Sequence, residues 1–144
     1  MTLGITSMYA NPIHPGHIEC LKLSKQYCDV LWVIINNDKQ ALLKRGVPSF
    51  QSQEFRKTVV KSIRWVDNAY IAEDEDGTVC KTLKGLYKIA KLNFPYCDVI
   101  FTKGGDRFAD NIPEKKVCDN LGIKIIDGLG EKIYNSSEMI KNEK

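Results

Sequence analysis

The chain carries only two histidines, and both fall in the segment Asn11-Pro12-Ile13-His14-Pro15-Gly16-His17. Two imidazoles at that spacing, with a glycine between them, can do phosphate chemistry. The apolar run Leu3-Gly4-Ile5-Thr6-Ser7-Met8 stands ahead of them and a helix-patterned stretch from Ile18 to Cys28 follows, so they occupy the turn from a first strand into a first helix. The first amides of a helix lack intrahelical partners and lie at the positive end of its dipole, which attracts anions. Gly16 lets the backbone approach an anion closely, Pro15 fixes φ without removing a needed donor, and the imidazoles add donors aimed at the same place. The same pattern also suits a helix entry whose histidines are satisfied locally, or half of a metal site. A structural zinc site asks for about four Cys and His ligands, usually in close pairs. The five cysteines, Cys20, Cys28, Cys80, Cys97 and Cys118, show no Cys-x-x-Cys spacing, and His-Glu-x-x-His is absent. No protein-held metal is expected.

The elements that must position these groups can be read in order. The stretch after the histidine turn carries Ile18, Leu21, Tyr27 and Cys28 on one side, the spacing of an amphipathic helix. Asp29 to Ile35 is a continuous, β-branched apolar run, the pattern of a strand covered on both faces. Asn36-Asn37-Asp38 ends it, and a loop containing Lys44, Arg45, Gly46 and Pro48 is expected next. A second helix is expected from about Gln51 to Ile63 with Phe55, Val59 and Ile63 inward, then a short strand, Ala69-Tyr70-Ile71. The acidic run Glu73-Asp74-Glu75-Asp76-Gly77 reads as a solvated turn into a helix marked by Cys80, Leu83, Tyr87 and Ala90. Asp98 to Thr102 predicts a fourth strand, ending in Lys103-Gly104-Gly105-Asp106-Arg107. A helix starting near Pro113, with Val117, Cys118 and Leu121, stops at Gly122, and Ile123 to Ile126 forms the fifth strand. Asn135-Ser136-Ser137-Glu138 has the spacing of a capping box and opens a last helix.

Strands alternating with helices give an α/β architecture with a parallel sheet and right-handed crossovers. In such sheets ligands bind beyond the carboxyl ends of the strands, where strand order reverses. The turns after strands one, two, four and five would meet there, bringing together His14 and His17, Asn36 to Arg45, Lys103 to Arg107 and Asn135 to Ser137. That convergence is stronger than any single motif.

Such a set suits nucleotidyl transfer. The reaction asks little covalent work of a protein: the α-phosphate is held for in-line attack and the growing charge on its oxygens is neutralised. His14 and His17 would donate to α- and β-phosphate oxygens while Mg2+, carried in by the nucleotide, bridges phosphates. Ser136 and Ser137 suit the β/γ end, or act as helix caps alone. Lys44 or Arg45 would close over the triphosphate from a mobile loop.

Composition narrows the class. The chain has 144 residues, enough for one domain with a sizeable core, and its 43% hydrophobic and 27% charged residues are ordinary for a globular protein. An odd number of scattered cysteines argues for a reducing, cytoplasmic setting, with Cys20, Cys28 and Cys118 acting as small hydrophobes on helix stripes. No basic leader precedes an apolar core at the N-terminus, and no apolar run approaches the length of a membrane span. A net charge of +3 without a basic stripe interleaved with aromatics makes nucleic acid an unpromising partner, and the lysines at the C-terminus read as a solvated tail.

The motifs together resemble the cytidylyltransferase-like nucleotidyltransferases, a superfamily marked by His-x-Gly-His and a distal Ser/Thr-rich motif, and the resemblance covers almost the whole chain. His14-Pro15-Gly16-His17 matches the first motif and Tyr134-Asn135-Ser136-Ser137-Glu138-Met139 the second; Arg64-Trp65-Val66-Asp67 resembles a segment of glycerol-phosphate and choline-phosphate cytidylyltransferases. Val33 to Asp38, Glu73 to Asp76 and Lys103-Gly104-Gly105-Asp106 are most similar to the heptose-1-phosphate adenylyltransferase branch. The resemblance implies that Gly104, Gly105 and Asp106 face ribose and base, and that Asn11 with Tyr9 and Ala10 lines the nucleotide pocket. The chain departs from the family at Met8-Tyr9-Ala10-Asn11, where Gly-Thr-Phe-Asp or a close variant is usual, and at Gly130, where cytidylyltransferases carry an arginine that Lys132 could replace. The second departure favours ATP over CTP.

The expectation is therefore a single domain over residues 1–144, a Rossmann-like doubly wound sheet of five parallel strands with helices on both faces, acting on a nucleoside triphosphate and a phosphorylated sugar or polyol with Mg2+. His14, His17 and Lys44 are the expected catalytic groups. Tyr9, Ala10, Asn11, Gly16, Gly104, Gly105, Asp106, Arg107, Asn135, Ser136 and Ser137 are expected around the nucleotide, and Asp38 and Arg45 around the acceptor. A homodimer using Trp65 and the segment to Ile71 is expected as well. A CTP-dependent enzyme, a catalytically silent nucleotide-binding regulator and an RNA-end binding module are the alternatives.

Overall fold

A computed structural model describes residues 1–105 and 112–130. The elements run β1 (Thr2–Met8), α1 (Pro15–Lys25), β2 (Val30–Ile35), α2 (Asp38–Arg45), α3 (Gln53–Lys61), β3 (Asn68–Ile71), α4 (Cys80–Asn93), β4 (Asp98–Gly104), α5 (Lys115–Leu121) and β5 (Lys124–Leu129). All strands are parallel in the order β3-β2-β1-β4-β5, so the chain reverses its direction of winding between β1 and β4. This is the expected Rossmann-like sheet. Alternation along β1 sends Leu3 and Ile5 to one face, where α4 and α5 add Leu83, Leu86, Ala90 and Cys118. Met8 goes to the other, with Leu21 of α1 and Val60 of α3. Among the described residues no helix is long and apolar enough to cross a membrane.

Helix α1 packs closely against the switch point. A Cβ built on Gly4 would lie 2.7 Å from the Cys28 sulfur, and one on Gly104 would lie 2.7 Å from the Cys20 sulfur. Gly104 lets α1 approach β4, and Gly4 lets the turn that follows α1 approach β1. Beneath the helix, Ser24 and Thr102 share a hydroxyl–hydroxyl bond of 2.7 Å, and the Thr6 hydroxyl donates to the Thr102 carbonyl.

Four expectations are corrected. Lys44 and Arg45 lie on a helix, α2, where a loop was expected. Asn37 caps it by accepting from the Gln40 amide while the Gln40 side chain accepts from the Asn37 amide, Lys44 and Arg45 complement the dipole, and Gly46 ends it at φ 74°. Helix α3 is rotated relative to its expected phase: Phe55 is exposed, and Arg56 and Val60 face inward. On the first helix Ile18 is exposed, and Tyr27 lies beyond the helix end and is also exposed. Finally, the acidic run is not wholly solvated. Asp74 is buried, and its carboxylate accepts from the Lys81 and Thr82 amides, capping α4, whose own N-cap residue Val79 offers no side-chain acceptor.

Candidate active site

The histidine turn is built as a helix cap. His14 is the N-cap residue of α1 in extended conformation, and its Nδ1 accepts from the Gly16 amide at 3.0 Å. The Nδ1 of His17, three residues on, accepts from the His14 amide at 3.1 Å. The two rings stack with centroids 3.8 Å apart. This is a capping box made from imidazoles, a role usually filled by Ser or Thr with Glu or Gln. Local satisfaction and ligand chemistry are therefore compatible. An Nδ1 that accepts an amide proton leaves the neutral ring with its proton on Nε2, so each histidine is fixed as an Nε2–H donor.

Electrostatics keep the rings neutral. Burial lowers the His14 pKa from its ordinary value. Burial lowers that of His17 further, to about 3, helped by neighbouring His14 and the positive charge of Lys44. Across physiological pH His17 is a neutral hydrogen-bond donor. The Gly16 amide is engaged in the cap, so the donors offered by this turn are ring N–H groups.

Lys44 reaches the same region from α2, its Nζ 4.2 Å from the centre of the Tyr9 ring. Ala10 follows at φ 52°, in the left-handed region uncommon for a residue other than glycine, and Asn11 is buried with an Oδ1 that meets no hydrogen-bond donor among the described residues. Such an orphaned oxygen in a crevice is expected where a ligand or water completes the contacts.

One residue missed in the sequence holds these segments together. Arg56 is 1% exposed and reaches in from α3 to the strand ends. Its guanidinium donates to the carbonyls of Tyr9 and Asn36, both at 2.7 Å, to Gln51 O at 3.1 Å and to Asp38 Oδ1 at 2.9 Å. It ties the exits of β1 and β2 to the start of α2. Its signal in the sequence is a charge at helical spacing to Val60, masked by the neighbouring apolar Phe55. Asp38, expected near the acceptor, has one oxygen on Arg56, and its amide donates to Gln53. Arg45 sits in the last turn of α2.

On the other side of the switch point, Gly105 has φ +59° and donates its amide to Leu129 O at 3.0 Å, so it makes the tight turn out of β4. Lys103, the first residue of the expected Lys103 to Arg107 turn, is buried at the end of β4 with its ammonium 2.6 Å from the Ser7 hydroxyl of β1. The expected site residues Asp106, Arg107, Asn135, Ser136 and Ser137 lie outside the described residues. Among the described residues no group of three or more His, Cys, Asp or Glu side chains could hold a metal ion.

A doubly wound sheet whose switch point is capped by a neutral His-x-Gly-His pair defines the class: a nucleotidyltransferase. The chain belongs to the cytidylyltransferase-like family, whose profile matches residues 9–139. It is 34% identical over 111 residues to the FAD synthase of Picrophilus torridus, covering 77% of this chain and 70% of that protein. It is also 34% identical over 131 residues to the FAD synthase of Methanocorpusculum labreanum, covering 89% of this chain and 85% of that protein. Among solved structures, the lipopolysaccharide core biosynthesis protein of Thermoplasma volcanium superposes with a TM-score of 0.69 at 23% identity, over 94% of this chain and 99% of that one. That last likeness is one of fold.

Proposed function

We propose that the protein moves AMP from ATP onto a phosphate monoester carried by a sugar or polyol. An acceptor phosphate oxygen attacks the α-phosphorus, the bond to the β-phosphate bridging oxygen breaks, and pyrophosphate leaves with the electron pair. The observation that carries the reading is the imidazole cap. Two Nε2–H donors, neutral and fixed in tautomer by backbone amides, stand at a helix N-terminus beside Lys44. Donors held ready need no reorganisation as charge grows on the phosphoryl oxygens. Being neutral, they bind without a change of protonation. Lys44 adds the positive charge, and Arg56 keeps the Tyr9 and Asp38 segments in register with it. Mg2+, taking its oxygen ligands from the nucleotide and water, would supply charge neutralisation on the phosphates, which fits a described site rich in N–H donors.

Adenine is favoured on three grounds. Lys103-Gly104-Gly105-Asp106 is adenylyltransferase-like. Gly130, where cytidylyltransferases carry an arginine, has φ +81°, a conformation that disfavours any side chain. The FAD synthases to which the chain is similar make a product in which AMP is joined to the phosphate of a ribityl, hence polyol, chain. Flavin mononucleotide thus belongs in the acceptor panel with glycerol 3-phosphate, ribitol 5-phosphate and hexose 1-phosphates. Each NTP with Mg2+ and each acceptor is followed for pyrophosphate and for the coupled product by mass. ATP with a polyol-linked phosphate is expected to turn over fastest. Higher kcat/KM with CTP would overturn the nucleotide assignment, and pyrophosphate without a coupled product would overturn the transfer.

A further inference from the structure

Lys44 is placed by contacts at both ends of its side chain. Its backbone lies in the last turn of α2, a helix fixed by the Asn37–Gln40 capping pair and ended by Gly46 at φ 74°. The buried Gln40 side chain also donates to the carbonyls of Asp76 and Thr78, which ties α2 to the loop before α4. At the other end, the Lys44 ammonium lies 4.2 Å from the centre of the Tyr9 ring, within the range of a cation–π contact. That ring stands on a braced segment. The Tyr9 carbonyl accepts from the buried Arg56 guanidinium at 2.7 Å, and Ala10, which follows, is buried. Position 9 is also one of the places where the chain departs from the usual pattern of its family, and the threonine usual there offers no ring.

Lys44 is exposed, and an exposed lysine has many rotamers over which to spread its charge. Only the fraction of time spent beside the phosphates serves a reaction that draws on positive charge. Here the ring-held position and the working position coincide, because the charge of Lys44 already acts on His17, a ring donor of the histidine turn. A neutral aromatic suits this task. A carboxylate would hold the ammonium as well, but it would cancel the charge the phosphates need and repel them. We infer that Tyr9 is a positioning residue: its ring face holds the Lys44 ammonium beside the histidine turn, so that the triphosphate meets a lysine already in place. This rests on the transfer reaction proposed above, with Lys44 as its cation, and adds the group that aims it.

Binding and geometry can be read apart from turnover. An α,β-methylene analogue of ATP, with Mg2+, is titrated by calorimetry against the full chain, Tyr9→Leu, Lys44→Met and the double variant. Tyr9→Leu is expected to raise Kd about tenfold in the parent, but less than about twofold where Lys44 is already Met, since the ring acts through the lysine. Tyr9→Phe should recover most of the loss. Phenylalanines of increasing ring fluorination in place of Tyr9 keep the shape while draining the ring face of electrons, so Kd should climb stepwise along the series. That series decides the matter should Tyr9→Leu fail to fold. By NMR of the free protein, the ε-methylene protons of Lys44 should carry an upfield ring-current shift that Tyr9→Leu abolishes. An equal rise in Kd in both backgrounds would overturn the inference, because Tyr9 would then act on the nucleotide itself. A lower Kd in Tyr9→Leu would overturn it too, by showing that the lysine must leave the ring to reach phosphate. The transfer fails separately. Coupled Kd values with no pyrophosphate from any acceptor would keep Tyr9 as the residue that positions Lys44 and remove the transfer; pyrophosphate release with uncoupled Kd values would do the reverse.

Discussion

Arg56→Met tests whether one buried guanidinium holds the site in shape. Methionine retains much of the apolar stem and removes four hydrogen bonds, to the carbonyls of Tyr9, Asn36 and Gln51 and to Asp38. The Asp38 carboxylate is 47% exposed and returns to water, so its ion pair adds little. The Tyr9 and Asn36 carbonyls are different: Asn36 is buried and Tyr9 half-buried, and each loses a charge-assisted donor at 2.7 Å. At about 1.5 kcal/mol for each unsatisfied carbonyl the loss is about 3 kcal/mol, which for a domain of this size lowers Tm by about 6–12 °C. Arg56→Lys should recover only part of this, because an ammonium cannot reproduce the fork that reaches both strand exits. Calorimetry gives the stability. Turnover well below the new Tm gives the positional effect, expected as a higher KM for acceptor together with a lower kcat, since Tyr9, Asp38 and Lys44 all move. A Tm within about 2 °C of the parent with unchanged kinetics would refute the bracing role.

The remaining predictions concern pH, packing and assembly. His17 has a folded pKa near 3 against an ordinary value of 6.5, so protons bind the unfolded chain preferentially. Stability should fall as pH drops below about 6.5 and continue falling toward 3, and in His17→Asn the slope of Tm against pH across that window should be shallower; equal slopes would contradict the depressed pKa. Gly104→Ala places a Cβ 2.7 Å from the Cys20 sulfur and 3.2 Å from the Leu129 carbonyl, which should cost about 1–3 kcal/mol by urea unfolding. Adding Cys20→Ala should restore part of that loss, and strict additivity of the two changes would show that the helix contact is not the cause. Trp65 is half-buried beneath the Arg64 guanidinium, and light scattering at micromolar concentration should find a twofold dimer that Trp65→Glu weakens.

Much of this was legible because the relevant signals are local. The His-x-Gly-His turn, the β-branched run of β2 and the glycine stop of α5 each announce an element, and their order yields the sheet and its switch point. Helix α2 was missed because it lacks an apolar inner stripe: its leucines are exposed, and its helical signal was the Asn37–Gln40 capping pair. Arg56 was missed because a buried charge is rare, and the neighbouring Phe55 looked like the core residue. Asp74 was hidden in a run of acids whose other members are exposed. For Arg56 the deciding partners, the Tyr9 and Asn36 carbonyls, come from distant segments, and for α2 and Asp74 they are capping contacts; apolar periodicity sees neither. The acceptor left no motif of its own.

The account rests on two neutral imidazoles stabilising the transfer rather than merely capping a helix. Single-turnover release of pyrophosphate from saturating ATP and acceptor measures this directly in His17→Asn and His14→Asn, with Tm and ATP-analogue affinity recorded for each. Loss of a donor that strengthens in the transition state should slow the step about a hundredfold or more while nucleotide affinity changes only a few-fold. Near-parental rates in both variants, with only the Tm reduced, would reduce His14 and His17 to structural caps and contradict the account.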